Sequence, residues 1–380
     1  MIAERVNEIT SFIVMDVLEK AREMERAGRD VVHLEVGEPD FETPECIKTA
    51  AEEALRAGYT HYTHSLGLIE FREAICEHYR DQYGVAIEPD QVIITAGTSP
   101  AMMILFSVLL NPNDEIIIPD PHYACYPNFI KFLQGVPVTV PVYEADGFQF
   151  RPQAVKEKIT GRTKGIFINS PSNPTGTIVS KERMQELSEL SPMIISDEIY
   201  HGLVYAGGAH CILEFTDQAV VFNGFSKLYA MTGFRLGYVI APKPFIRPMQ
   251  KIHQNFFISA NAVAQKAGMA ALEWAGPDVE RMREIYNERR QYMISRLKKI
   301  AFGITVEPTG AFYVFANAKH LTGDSYQFAF EILKNAHVGV TPGVDFGPHG
   351  EGYIRFSYAN SLDNIREGMD RIETYLARRR

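Results

Sequence analysis

Asn223-Gly224-Phe225-Ser226-Lys227-Leu228-Tyr229-Ala230-Met231-Thr232-Gly233-Phe234-Arg235-Leu236-Gly237 follows an apolar run, Ala219-Val220-Val221-Phe222, that reads as a buried strand. Lys227 therefore leaves that strand at its carboxyl end, the edge where α/β sheets hold ligands. Partial burial lowers an amine's pKa and makes it a nucleophile toward an aldehyde. Arg235 opens a second apolar run, 236–240, and its planar fork of donors suits a phosphate. A lone Lys and Arg beside a turn are ordinarily solvated charges; the flanking Ser226, Met231, Gly233 and Gly237 set this pair apart.

Outward from this stretch, apolar strands alternate with helices. The pattern predicts strands at 91–95, 115–118, 136–140, 165–169, 193–196, 219–223 and 236–240, which together make one mainly parallel seven-stranded α/β sheet. Chemistry-bearing residues recur at the ends of those strands. Gly97-Thr98-Ser99 leads into a helix over 101–110, with Pro100 in its first turn, and free amides plus the helix dipole make a phosphate cradle there. An ordinary helix cap would read the same way. After the second strand, Pro121-His122-Tyr123-Ala124-Cys125-Tyr126 sets aromatic rings where a planar ligand could be covered. Asn169-Ser170-Pro171-Ser172-Asn173-Pro174-Thr175-Gly176 is rich enough in turn formers to be a loop, with Asn173 able to donate to an oxygen. Asp197, in Ser196-Asp197-Glu198-Ile199-Tyr200, directly follows buried apolar residues and calls for a cationic partner.

Toward the termini, apolar spacing predicts an amphipathic helix over 8–27 and a strand over 31–36 that ends in Gly37-Glu38-Pro39-Asp40-Phe41. Further helices are expected at 43–57, 69–83, 278–300 and 325–335, with strands at 304–306, 310–315 and 353–357, and a last helix capped by Ser361. In the strand Gly352-Tyr353-Ile354-Arg355-Phe356-Ser357-Tyr358, Arg355 alternates with apolar residues and can grip a carboxylate bidentately.

Taken together, these motifs resemble those of the class I aminotransferases, pyridoxal-phosphate enzymes of fold type I with aspartate aminotransferase as their best-known member. The likeness runs from about residue 30 to the carboxyl end. It implies that Lys227 carries pyridoxal 5'-phosphate as a Schiff base and serves as general base and acid. It further implies that Gly97, Thr98, Ser99, Ser226 and Arg235 hold the phosphate side, that Tyr123 stacks on the ring and that Asp197 pairs with the ring nitrogen. Asn173 and Tyr200 would then contact the ring O3′, while Gly37, Asn173 and Arg355 would meet the substrate carboxylate. His122 departs from the family, which more often has an aromatic residue in that slot. Tyr62 matches a tyrosine that reaches the neighbouring subunit's phosphate site, so a homodimer is implied.

The reaction implied is transfer of an amino group between an L-amino acid and a 2-oxo acid. Carbon–sulfur lyases share nearly the same residues and are the alternative chemistry, with a non-catalytic regulator the alternative of another class. The expected division is an arm and part of a smaller body at 1–44, a large cofactor-binding domain at 45–277 and a small α+β domain at 278–380.

Composition agrees with this. Of the 380 residues 46% are hydrophobic and 22% charged, enough for a large core, and the net charge of −9 argues against a nucleic-acid groove. The 4 cysteines show no CxxC spacing, so neither a zinc site nor a disulfide framework is expected. The first eight residues lack a signal peptide's apolar core and no apolar run is long enough to span a bilayer, which points to a soluble cytoplasmic protein.

Overall fold

Residues 2–379 are described by a computed structural model. Its largest sheet has seven strands: β2 (Val92–Thr95), β3 (Glu115–Asp120), β4 (Val136–Pro141), β5 (Thr163–Asn169), β6 (Met193–Asp197), β7 (Val220–Gly224) and β8 (Gly237–Ile240). Their order is β2-β8-β7-β6-β5-β3-β4, parallel throughout except that β8 runs antiparallel to both β2 and β7. A short β1 (Val32–His33) precedes them in the chain.

Every residue of β2 and β7 is buried, as a sheet covered on both faces requires. Successive residues go to opposite sides. Ile93, Ile116, Phe167 and Phe222 join one core with Ile104 and Phe106, whereas Ile94, Ile117, Ile166 and Val221 join a second with Phe71 and Ile75. Helices α2 (Glu45–Arg56), α3 (Ile69–Tyr83) and α4 (Thr98–Leu109) supply part of the cover, whereas α1 (Ile13–Arg26) packs through Val17 and Ala21 against Leu333.

A third core belongs to a smaller sheet in which β12 (Tyr353–Ser357) lies between β9 (Tyr313–Asn317) and β11 (Thr341–Pro342), antiparallel to each. The amino-terminal β1 pairs in parallel with β10 (Val338–Gly339). The final helix, Leu362–Arg379, begins where Ser361 Oγ accepts the Asn364 amide at 3.1 Å.

All seven large-sheet strands fall where periodicity predicts them, but four other expectations need correction. The first helix starts at Ile13 rather than near residue 8, because the Asp345 carboxylate caps the amides of Ile13 and Val14. The expected strand over 31–36 reduces to Val32–His33, since β10 offers only two residues to pair with. Helix α4 begins at Thr98 rather than at 101, with Gly97 as its cap at φ 95°. Residues 304–306 form no strand, and the Thr305 amide bonds Glu144 instead.

Candidate active site

Strand ends β2, β5, β6 and β7 open onto a cavity of about 190 Å³ whose lining includes Lys227, Asp197, Tyr200, Asn173, Tyr123, Thr98, Ser99, Gly37 and Arg355. Lys227 follows β7 by three residues, and its Nζ donates to the Gly37 carbonyl at 2.7 Å. The side chain keeps a partial opening onto the cavity, while its surroundings remove enough water to lower the amine's pKa to about 8.

Asp197 ends β6, and Tyr126 donates its hydroxyl to Oδ2 at 2.8 Å while the Ile199 amide donates to Oδ1 at 3.2 Å. Burial nevertheless pushes this carboxyl up to about 6. Asn169, the last residue of β5, donates to the Asp197 carbonyl at 2.9 Å and accepts the Asn173 amide at 2.8 Å. The Asn173 side-chain oxygen accepts from Arg355 at 2.8 Å.

Arg355 is 2% exposed in the middle of β12. It donates to the Glu35 carbonyl and to Thr341 Oγ1, and its guanidinium lies 4.4 Å from the Tyr313 ring centroid and 4.9 Å from that of Phe346. Among the described residues no carboxylate lies in salt-bridge contact with it, and its Nε has no hydrogen-bond partner. A buried cation so placed is unfinished without an anion. Tyr200 shares a 2.8 Å hydrogen bond with Tyr313, whose ring lies edge-on to it.

Five residues singled out in the sequence stand outside the cavity lining. Gly97 and Arg235 meet beside it: a Cβ on Gly97 would come within 2.7 Å of the guanidinium, which also bonds the Thr232 carbonyl at 2.9 Å. Ser226 is buried next to Lys227. Tyr62 is 80% exposed, on a loop whose Thr63 amide bonds Ser259. His122 is likewise buried outside the lining, 2.9 Å from the Tyr123 carbonyl, where desolvation lowers its pKa.

Several residues escaped the sequence reading. Tyr126 had a signal, one helical turn past Tyr123, and Asn169 closes a strand just before the Asn173 loop. Tyr313 is masked as an ordinary strand residue. Phe12, Val14 and Met15 also line the cavity, and nothing in their local sequence distinguishes them from a helix's apolar face.

The family described as Aminotransferase class I and II matches residues 29–372. A (5-formylfuran-3-yl)methyl phosphate transaminase of Methanocaldococcus jannaschii is similar, 42% identical over 99% of this chain and 100% of its own. An aspartate aminotransferase of Pyrococcus horikoshii is also 42% identical, over 99% of this chain and 97% of its own. The solved aspartate aminotransferase of Thermus thermophilus with maleate superposes with a TM-score of 0.95 at 36% identity, covering 98% of this chain and 99% of that one. With a lysine, an aspartate and a carboxylate-free arginine around one cavity on this fold, the chain belongs to the class I and II aminotransferases, fold type I enzymes that use pyridoxal 5'-phosphate.

Proposed function

We propose that Lys227 is the residue to which the cofactor attaches and that it moves the proton in transfer of an amino group from an L-amino acid to a 2-oxo acid. The observation that carries this is one cavity holding an amine brought down to about 8, a buried carboxyl and a buried guanidinium with no acidic partner. The donor set fits the group. Asp197 has the buried negative charge that a protonated ring nitrogen would balance, and Tyr126 and Asn169 hold it in position. With its oxygen engaged by Arg355, Asn173 keeps its amide hydrogens for a phenolic oxygen, beside the Tyr200 hydroxyl. Gly97, Thr98, Ser99, Ser226 and Arg235 would hold the phosphate, and Tyr123 would cover the ring.

Bound there, pyridoxal 5'-phosphate supplies an electron sink that acidifies the Cα–H of an amino acid. The chain does the rest. Arg355 grips the substrate carboxylate against Asn173 and the Gly37 loop, which fixes the bond at Cα that breaks. Lys227 Nζ, held at Gly37, takes the Cα proton and later returns one.

Tyr62 would serve the partner of a homodimer. Its loop adjoins the exposed Phe256, Phe257 and Ile258 through Thr63 and Ser259, an apolar patch of the kind that a second subunit covers. The chain divides functionally into an arm at 1–44, a large cofactor-binding domain at 45–277 and a small domain at 278–380. Four free cysteines accord with a reducing cytoplasm, and among the described residues no helix is long and apolar enough to cross a membrane.

The test is a half-reaction screen in which purified holoenzyme is mixed with single amino acids and the cofactor absorbance is followed. Stoichiometric loss of the yellow form with release of the matching oxo acid is expected. Release of ammonia and pyruvate instead would assign the site to a lyase.

A further inference from the structure

The reading of Lys227 and Arg355 given above leaves the substrate's side chain open, and the cavity wall addresses it. Phe12, Val14 and Met15 line the cavity from the start of α1, remote in sequence from the other lining residues. They are held by a contact from the other end of the chain. Asp345, 9% exposed, accepts the amides of Ile13 at 3.0 Å and Val14 at 3.2 Å. Phe12 lies edge-on to Tyr123 with ring centroids 5.8 Å apart.

The same short turn, Gly343–Phe346, also supports the arginine, because the Phe346 ring lies 4.9 Å from the Arg355 guanidinium. One turn therefore fixes both the carboxylate grip and the apolar wall beside it. Arg355 and this wall line the same cavity, so a substrate held through its α-carboxylate at Arg355 shares that cavity with Phe12, Val14 and Met15.

Charge in the cavity narrows the choice of side chain. The charged lining residues are Lys227, Arg355 and the anion Asp197, and both cations already have assigned duties. Against this chain's own lining, a second substrate carboxylate would lose its water with no cation to replace it, at a cost of several kcal/mol.

We propose that Phe12, Val14 and Met15 form the subsite for an apolar amino-acid side chain, with Asp345 as the positioning residue that holds it against the cavity.

Half-reactions of the holoenzyme with leucine, phenylalanine, alanine and aspartate test this. Leucine or phenylalanine should exceed aspartate in kcat/KM by about tenfold or more. Aspartate equal or better would overturn the proposal while leaving the aminotransferase reading intact; conversion by no amino acid would instead strike that underlying reading. In Asp345→Ala, KM for leucine should rise about tenfold, with kcat and the KM for alanine little changed, because a methyl group falls short of the wall. An equal rise for both substrates would make Asp345 merely structural and sink its assigned role. A second variant avoids the core: Met15 is 50% exposed, so Met15→Arg should fold and offer a cation to the cavity. It should raise the aspartate-to-leucine ratio by about tenfold, and an unchanged ratio would remove Met15 from the subsite.

Discussion

Burial pushes Lys227 and Asp197 in opposite directions on the pH scale, and in each case it favours the neutral form. The amine releases its proton at about 8 and the carboxyl holds its proton up to about 6. Below pH 8 Lys227 is protonated and unreactive, above it the lone pair is free, and surface lysines wait for about 10.4. Competitive labelling of the cofactor-free protein with acetic anhydride across pH 6–10 should therefore give a midpoint near 8 at Lys227. A midpoint shared with the other lysines would deny it a tuned amine. Asp197 carries a cost visible without cofactor. Its folded pKa lies above the unfolded value, so at pH 8 the carboxyl is ionised in both states and only the folded one buries the charge. Asp197→Asn should accordingly stabilise the cofactor-free protein by about 3 kcal/mol at pH 8, with the gain fading as pH falls through 6 and the native carboxyl takes up its proton. The same variant should bind pyridoxal 5'-phosphate at least about 100-fold more weakly, since a ring cation would be left buried without its counter-charge. Thermal melts with and without cofactor measure both effects, and a variant melting below the native protein at pH 8 without cofactor would refute the first.

At the level of elements, the strand ends and the two glycines beside them set the site's shape. Gly97 begins α4 at φ 95°, a conformation in which any side chain is strained, and an added Cβ would press on Arg235 at 2.7 Å. Gly37 is tighter: its Cβ would fall 1.8 Å from the Tyr313 hydroxyl, the partner of Tyr200. Gly37→Ala should therefore raise KM for amino acids about tenfold or more through displaced Tyr313, while Gly161→Ala, with open space around it, should leave KM unchanged. Equal kinetics in the two variants would mean that Tyr313 yields without consequence. The large-sheet strands were legible because burial on both faces leaves uninterrupted apolar runs such as Val220-Val221-Phe222. Asp197, Lys227 and Asn173 were legible because each stands at the end of such a run or in a turn-rich loop after it. The true start of α1 was not, because the carboxylate that caps it lies 332 residues away from Ile13. Periodicity reports a helix's faces but not a partner brought in by the tertiary fold, and for that reason the wall at Phe12, Val14 and Met15 looked like any amphipathic turn.

Across the whole molecule, the site as one chain forms it leaves exposed the side proposed to hold phosphate. Arg235 and Ser99 are solvent-facing, although a phosphate held mainly by hydroxyls and one guanidinium gains most when water is excluded. Tyr62 is 80% exposed and Phe256 73%, on a loop and a helix end that the contact between Thr63 and Ser259 brings side by side. A second subunit covering that patch would bury the aromatic side chains and bring a tyrosine to its neighbour's phosphate. Shared sites make a sharp prediction about mixtures. In a shared site Tyr62→Ala would leave Lys227 in place but strip the tyrosine from the neighbour's site, whereas Lys227→Ala would disable its own site but still lend a tyrosine. Neither homodimer should turn over at more than a few per cent of the native rate, about a hundredfold loss for the lysine variant. When the two are unfolded together and refolded, half the dimers are mixed, and each mixed dimer contains one site with both residues intact. Activity should then return to about a quarter of the native value per subunit, as the arithmetic of one good site in half the dimers requires. Activity no greater than the mean of the two parents would mean that each chain completes its own site.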